Sequence, residues 1–376
     1  MENIREIRQQ EAVNAFLNTR DFRGITLVAP RAGKCRIGFK IIRELNPKSI
    51  LILYPNTDIK KGWEDEAKLL NFNIDNITFS TFASIKKLNA KFDFIIIDEI
   101  HKLSKNNIEN LQFNYLKCPT LGLTGTLTNK TANTIYDSLT IPVCYKYSIN
   151  KAVEEGILTP YKIYIHKVPL DDKKWYLKQY KYSRHLYTEK ELFTILQKSI
   201  TDGEDIIKNI KTDQKLISKI TKDNFFMYLK SINIIQNSIA KISETKRLLD
   251  IFSKDRVLVF CGTTNTTDQL DIPVYHSKAK EKKVFEDFAE GRTQYLATID
   301  MLKAGIKFLP LDKGIINYIS GQPEEAAQTI CRFLAKEINR PDKEAEIHVI
   351  CISHPFELER MSTALRFFDE NKIFYV

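Results

Sequence analysis

Five short runs in the first part of the chain are apolar and mostly uninterrupted: GITLVAP (24–30), SILILYP (49–55), NITFSTF (76–82), DFIIIDE (93–99) and TLGLTGT (120–126). Runs of this length without polar alternation predict strands buried on both faces, as in a parallel sheet. Between them, CRIGFKIIRELN (35–46) and KKGWEDEAKLLNF (60–72) have helix-compatible spacing of apolar residues. Strand and helix alternate, which predicts a doubly wound α/β domain. After Pro160 the pattern changes. YKIYIHKVPL (161–170) predicts one more strand, whereas 171–247 shows no strand-like run and is expected to be helical, with breaks at Gly203 and Asn224. Alternation returns with RVLVFCG (256–262), PVYH (273–276), TQYLATI (293–299), KGIINYIS (313–320) and EIHVICIS (346–353). The chain therefore reads as two α/β halves, 1–158 and 248–376, joined by a crossover strand and a basic helical insertion over 159–247.

A length of 376 residues fits about two to three domains. At 43% hydrophobic and 28% charged residues, wholesale disorder is excluded. No apolar run reaches the roughly 18 residues of a membrane span, and MENIREIRQQ lacks the apolar stretch of a signal peptide. Cysteines stand at 35, 118, 144, 261, 331 and 351, without a C-x-x-C pair, which argues against a zinc cluster and for reduced thiols. A soluble, cytoplasmic protein is the expectation. Charge adds a partner class. Lys+Arg 57 against Asp+Glu 47 gives +10, and residues 161–250 hold 18 basic and 11 acidic residues, so +7 lies there. Trp175, Tyr176, Tyr180, Tyr182 and Tyr187 fall in the same stretch. Basic residues interleaved with aromatics suit a phosphate backbone and stacked bases, with Lys173, Lys174, Lys178, Lys181 and Arg184 near phosphates. The same composition also describes a solvated helix face over a buried aromatic stripe.

Candidate chemistry sits at the strand ends. After the first strand, Pro30-Arg31-Ala32-Gly33-Lys34-Cys35 leads into a helix. A glycine there lets backbone N–H groups close on phosphates, and the lysine reaches the outer ones. The full phosphate-loop pattern has glycine where this chain has Val28 and a magnesium-binding hydroxyl where it has Cys35. Phe94-Ile95-Ile96-Ile97 ends in Asp98-Glu99-Ile100-His101. Two acids at the end of a buried strand are costly unless they hold a cation or do chemistry. In a nucleotide hydrolase the first holds magnesium and the second polarises the attacking water.

In order and spacing, these segments resemble the superfamily 2 helicases and translocases. RQQEAVNAF carries Gln9 and Gln10, either of which resembles the adenine-reading glutamine; PRAGKC resembles motif I and DEIH motif II. LILYPNTDIKKGWEDEAKLL resembles motif Ia, STFASIKKL the next strand-contacting motif, and LTGTLTN motif III. AVEEGILTPY (152–161) is similar to the crossover into the second domain. VLVFCGTTNTTDQL, LATIDMLKAGIKF and Gln328-Thr-Ile-Cys-Arg332 resemble motifs IV, V and VI. The motif III and V variants look most similar to phage branch-migrating helicases and Swi/Snf-type translocases.

The resemblance implies two RecA-like domains, ATP and Mg2+, and a nucleic-acid partner, DNA before RNA, with a viral or phage source and hence a host cytoplasm. It implies Arg31, Ala32, Gly33, Lys34, Cys35 and Gly305 at the nucleotide, Asp98 and weakly Cys35 at the metal, and Glu99, Arg332 and Gln328 in hydrolysis. His101, Thr124 and Thr126 would couple hydrolysis to movement, and Asn56, Thr57, Lys60, Lys61, Thr81, Thr263 and Thr298 would contact the strand. Cys331 and Ala335 depart from motif VI. With Cys35, they favour a rival, a helicase-derived binding module without turnover; an RNA helicase is the other.

Overall fold

The computed structural model describes residues 3–88, 90–115, 117–173, 175–179, 184–209, 213–276, 279, 281–299, 311, 313–336, 340 and 342–376. The first half runs α1 (Ile4–Leu17), β1 (Arg23–Val28), α2 (Lys34–Leu45), β2 (Ile50–Tyr54), α3 (Asp58–Leu69), β3 (Ile77–Thr81) and β4 (Phe94–Asp98). It continues with α4 (Lys105–Tyr115), β5 (Thr120–Thr124), α5 (Asn129–Leu139), β6 (Val143–Tyr147) and α6 (Ile149–Glu154). Its six strands pair in the order β3-β2-β4-β5-β1-β6, all parallel. Every residue of β2, β4 and β5 is buried, as their unbroken apolar runs require of strands covered on both faces. The run at 143–147 went unread in the sequence because β6 is an edge strand, mostly half-buried and interrupted by Lys146.

Next come β7 (Tyr161–Val168), β8 (Trp175–Gln179), β9 (Arg184–Thr188), α7 (Glu189–Asn209), α8 (Gln214–Gln236) and α9 (Ile239–Ile251). The chain ends with β10 (Val257–Phe260), α10 (Thr264–Asp268), β11 (Val274–Tyr275), α11 (Lys282–Ala289), β12 (Tyr295–Thr298) and β13 (Lys313–Ile316), then α12 (Pro323–Ile330), β14 (Ala345–Ile352), α13 (Pro355–Ala364) and β15 (Ile373–Tyr375). The second sheet is β11-β12-β10-β13-β14-β7-β15, again parallel throughout. Two parallel-sheet α/β units of RecA-like form result. The strand at 161–168 is not a separate connector: it pairs along its whole length with β14, inside the second sheet.

The expectation of an entirely helical 171–247 is corrected. WYLKQ and RHLYT pair antiparallel, from Trp175↔Thr188 to Gln179↔Arg184. Aromatic and β-branched residues favour strands, and a local hairpin satisfies their backbone without a neighbouring sheet. Intervening lysines and a histidine broke the apolar run that would have marked it. Gly203 and Asn224 are not breaks either. They are the point where α7 and α8 touch: a Cβ on Gly203 would lie 2.4 Å from Asn224 Oδ1, and Asn224 Nδ2 donates to the Ile200 carbonyl at 3.2 Å. Among the described residues no helix is long and apolar enough to cross a membrane. All six cysteines are free thiols.

Two histidines meet inside the second sheet. His166 on β7 and His348 on β14 are buried, with His166 Nε2 and His348 Nδ1 2.9 Å apart and His166 Nδ1 3.0 Å from Glu244. Burial, with His166 beside it, holds the His348 imidazole down at about 3, and burial lowers His166 as well. Both pairs of groups fit neutral rings, each donating from Nδ1. The unfolded chain binds protons below pH about 6.5 while the folded chain does not, so stability is complete above that pH and declines as pH falls toward 3. We expect unfolding free energy to fall between pH 7 and pH 5, by roughly 1.4 kcal/mol per pH unit for each such group at the steepest, and the thermal midpoint to fall with it. A melting series with wild type and His348→Phe checks this; an equally steep decline in both would remove His348 from the cause.

Candidate active site

The loop after β1 is shaped by two left-handed residues. Arg31 has φ 68° and Gly33 φ 101°. At Gly33 a side chain is also excluded by contact, since a Cβ would lie 2.3 Å from Gln9 Nε2. Gly33 thereby caps α2, whose first residue is Lys34, and leaves the unpaired N–H groups of the helix start facing the loop. Gln9, buried on α1, donates from Nε2 to the Ala32 carbonyl at 2.9 Å, while its buried Oε1 has no hydrogen-bond partner among the described residues. Gln10, by contrast, is exposed and donates to Asn14, so of the two candidates only Gln9 reaches the loop.

Lys34, Asp98 and Glu99 come together although 64 and 65 residues apart, because β1 and β4 flank β5 and end at the same sheet edge. Lys34 Nζ donates to Glu99 Oε1 and stands 3.8 Å from Asp98 Oδ1. All three side chains are largely buried. Burial alone would discharge the lysine, but the Glu99 and Asp98 carboxylates outweigh it and hold its pKa up. Burial pushes Asp98 up despite Lys34, while for Glu99 the charge and hydrogen bond of Lys34 overcome burial and hold it down. One cation against two acids leaves a negative surplus in a water-poor pocket, which suits a divalent cation on hard oxygen ligands. Asp98 would hold magnesium there, and the ion would offset phosphate charge. Cys35 fits that role poorly: burial pushes its thiol well above the ordinary range, so the sulfur stays protonated.

Trp63 is the residue whose role the sequence did not disclose. Fully buried on α3, it donates from Nε1 to Asp98 Oδ2 at 2.9 Å, while the Glu99 amide donates to Oδ1 at 3.0 Å. Gly38 on α2 makes room for it, since a Cβ there would meet the indole at 2.5 Å. His101 forms a second chain. Its Nδ1 lies 2.8 Å from Thr124 Oγ1, whose own proton goes to the Thr126 carbonyl at 2.8 Å, so His101 Nδ1 carries the donated hydrogen. Burial lowers this imidazole to about 4, so it is neutral at pH 7, and Nε2 has no hydrogen-bond partner among the described residues.

The second sheet closes the site through α12. Gln328 Nε2 donates to Glu99 Oε2 at 3.0 Å, and Glu324 Oε1 accepts from the Thr128 amide at 3.0 Å. Residues four apart share a helix face, so the spacing of Gln328 from Glu324 on α12 could have flagged Glu324. The Arg332 carbonyl lies 3.5 Å from Arg31 Nη2. Ala335, a departure from motif VI, and Lys336 serve the crossover: the Ala335 carbonyl accepts from Thr159 at 3.1 Å, and Lys336 Nζ reaches the Gly156 carbonyl at 2.9 Å.

The candidate strand contacts are scattered. Asn56, Thr57 and Lys61 are exposed, Lys60 is 3.4 Å from Glu64, and Thr81 is half-buried beside Ser84. Thr263 caps α10 and donates to Asn237 Oδ1 at 2.7 Å. Thr298 is fully buried at a strand end, its hydroxyl near the Tyr275 and Ile299 carbonyls. Lys173 is exposed; Gly305, Lys174 and Lys181 lie outside the described residues, as do the side chains of Lys178 and Arg184.

With this geometry, the similarities become specific. Residues 4–129 match the family described as Type III restriction enzyme, res subunit. The class supported is that of the superfamily 2 ATP-dependent helicases and translocases. Among curated relatives, the DNA 3'-5' translocase XPB2 of Sulfurisphaera tokodaii is 24% identical over 368 residues, covering 90% of this chain and 79% of the relative. Among solved structures, the Pyrococcus furiosus Hef helicase domain shares the fold at TM-score 0.52 and 13% identity, covering 96% of this chain and 97% of its own. Saccharomyces cerevisiae Dbp5 bound to RNA and ADP BeF3 shares it at TM-score 0.58 and 12% identity, over 98% and 89%.

Trp63→Phe should keep the core packed but free Asp98 of its indole donor. The expected outcome is a fall in ATP hydrolysis of about ten- to a hundred-fold with unchanged far-UV circular dichroism. Unaltered turnover would reduce Trp63 to packing alone.

Proposed function

We propose that this chain is an ATP-dependent motor on DNA that remodels forked or branched substrates, hydrolysing ATP in the cleft between its two α/β units. The observation that carries this reading is the contact of Lys34 and Gln328 with the same carboxylate, Glu99, from opposite sides of that cleft. In this reading residues 1–158 form the nucleotide-binding unit, 248–376 together with the strand at 161–168 the second unit, and the rest of 159–247 the connection and insertion. The amides around Gly33 and the start of α2 take the phosphates, Lys34 exchanges its carboxylate partner for the outer phosphate, and Gln9 reads the base with its unpartnered oxygen. Asp98 holds magnesium. Glu99, released from Lys34, orients the attacking water, and Arg332 approaches the phosphate from the second unit.

His101, Thr124 and Thr126 pass the change at Glu99 to the loop after β5, where Thr128 meets Glu324 of the second unit. Closure on ATP and reopening after hydrolysis would then shift one unit against the other along the phosphate backbone. Asn56, Thr57, Lys61 and Thr263 are the proposed strand contacts. DNA is favoured over RNA because the curated relative is named a DNA translocase.

ATPase assays with forked duplex, blunt duplex, single-stranded DNA and RNA test the reading. We expect magnesium-dependent turnover stimulated most by forked DNA. Glu99→Gln should bind ATP but lose turnover by about 100-fold or more, and Lys34→Ala should weaken both. Absence of turnover with every nucleic acid, alongside retained binding, would replace the motor with a binding module. Cys35→Thr supplies a hydroxyl in place of the buried thiol and is expected to raise turnover at limiting magnesium; a neutral result would leave Asp98 and water as the whole metal site.

A further inference from the structure

Helices α7 and α8 form an antiparallel arm rooted in the second sheet. At its base Thr266 Oγ1 donates to the Gln236 carbonyl at 2.7 Å, and Thr263, just beyond the end of β10, bonds Asn237 at 2.7 Å. Arg360 of α13 donates to Tyr228 of α8 and, at 2.9 Å, to Tyr318, while Phe193 of α7 packs on Phe356 with ring centroids 5.7 Å apart. The arm is therefore keyed to the second unit, at the sheet edge where Thr263 lies.

Its two helices differ in charge. α7 carries three lysines and five acids, whereas α8 carries four lysines and one aspartate. On α8, the residues turned inward are Asn224, Ser231, Ile234 and Ile235. At 100° per residue, Lys215, Lys219, Lys222, Phe225, Phe226 and Lys230 lie opposite them, within an arc of about 140°. All six are exposed. The two phenylalanines are 57% and 47% exposed, with centroids 6.2 Å apart. Exposed aromatic surface beside solvent-facing lysines has no structural use on the outer side of an arm. Phosphates beside the lysines and bases on the rings would use both groups at once. Phe225 stands 11 residues beyond Gln236, roughly 16 Å out from the base at the sheet edge.

We propose that this face of α8 holds the unpaired strand of a forked nucleic acid, with bases stacked on Phe225 and Phe226 and phosphates on the four lysines. The proposal rests on the motor reading and adds to it where the displaced strand goes. Because the arm is fixed to the second unit, a strand held there would move with that unit when the cleft closes.

The test uses the full chain and fluorescence anisotropy with forked DNA bearing an unpaired arm, and with blunt duplex. The double variant Phe225→Ala, Phe226→Ala should weaken binding to the fork about five-fold or more and leave the blunt duplex nearly unchanged; the double tryptophan variant should retain fork binding. Replacing Lys215, Lys219, Lys222 and Lys230 by alanine should reduce the log–log salt slope on the fork by about 3. If wild type binds the fork and neither variant changes it, the arm proposal fails and the motor reading stands. Failure of wild type to bind any nucleic acid would overturn the motor reading itself. If the phenylalanine variant instead turns a dimer into a monomer in sedimentation without DNA, the face is a contact between copies and the proposal is wrong.

Discussion

The buried cluster of Lys34, Asp98 and Glu99 is the constraint around which the rest is arranged. Ions removed from water are costly, and a lysine with two carboxylates leaves a surplus of negative charge that a further cation would offset. A hydrophobic isostere would serve stability as well or better, so the cluster makes sense as chemistry. Its members are aimed by groups that do not react. Gly33 admits Gln9, Gly38 admits Trp63, and Trp63 orients Asp98. Each glycine is needed because a neighbouring side chain occupies the space of its Cβ.

The same carboxylate that answers Lys34 also answers Gln328, so Glu99 senses both units of the chain. Around this contact the crossover is stitched to the segment after α12: Thr159 bonds the Leu334 and Ala335 carbonyls, and Lys336 bonds Gly156. A change of partner at Glu99 would therefore be felt on one side through His101 and Thr124 and on the other through α12. His101 suits that position because burial keeps it neutral, giving one donating and one accepting nitrogen. The arm of α7 and α8, fixed by Arg360 and the aromatic contacts of Phe193, extends the second unit beyond the cleft.

Most of the two sheets was legible in the sequence. Strands such as β2, β4 and β5 are buried on both faces, and covering on both faces leaves no choice but a continuous apolar run. The edge strands β6 and β15 and the hairpin β8-β9 were not. β15 is too short to show a run, and the edge β6 and the isolated ribbon tolerate lysine, histidine and glutamine, which erases the signal. Gly203 and Asn224 show the same limit: residues that suggest a break in one helix can instead mark close contact with another.

For the site, the sequence by itself determined the residues that must be chemically particular: a glycine and lysine after the first strand, and two acids after the fourth. Their types are dictated by phosphate and metal chemistry, and their places by strand ends, both of which are local. Tertiary structure alone decided which glutamine turns inward, that Trp63 serves Asp98, that Thr298 is spent on backbone carbonyls, and that Glu324 reaches Thr128. Those facts depend on how a helix is rotated against a sheet, or one unit against the other. Rotation is set by packing across the whole interface, and no single segment of sequence contains it.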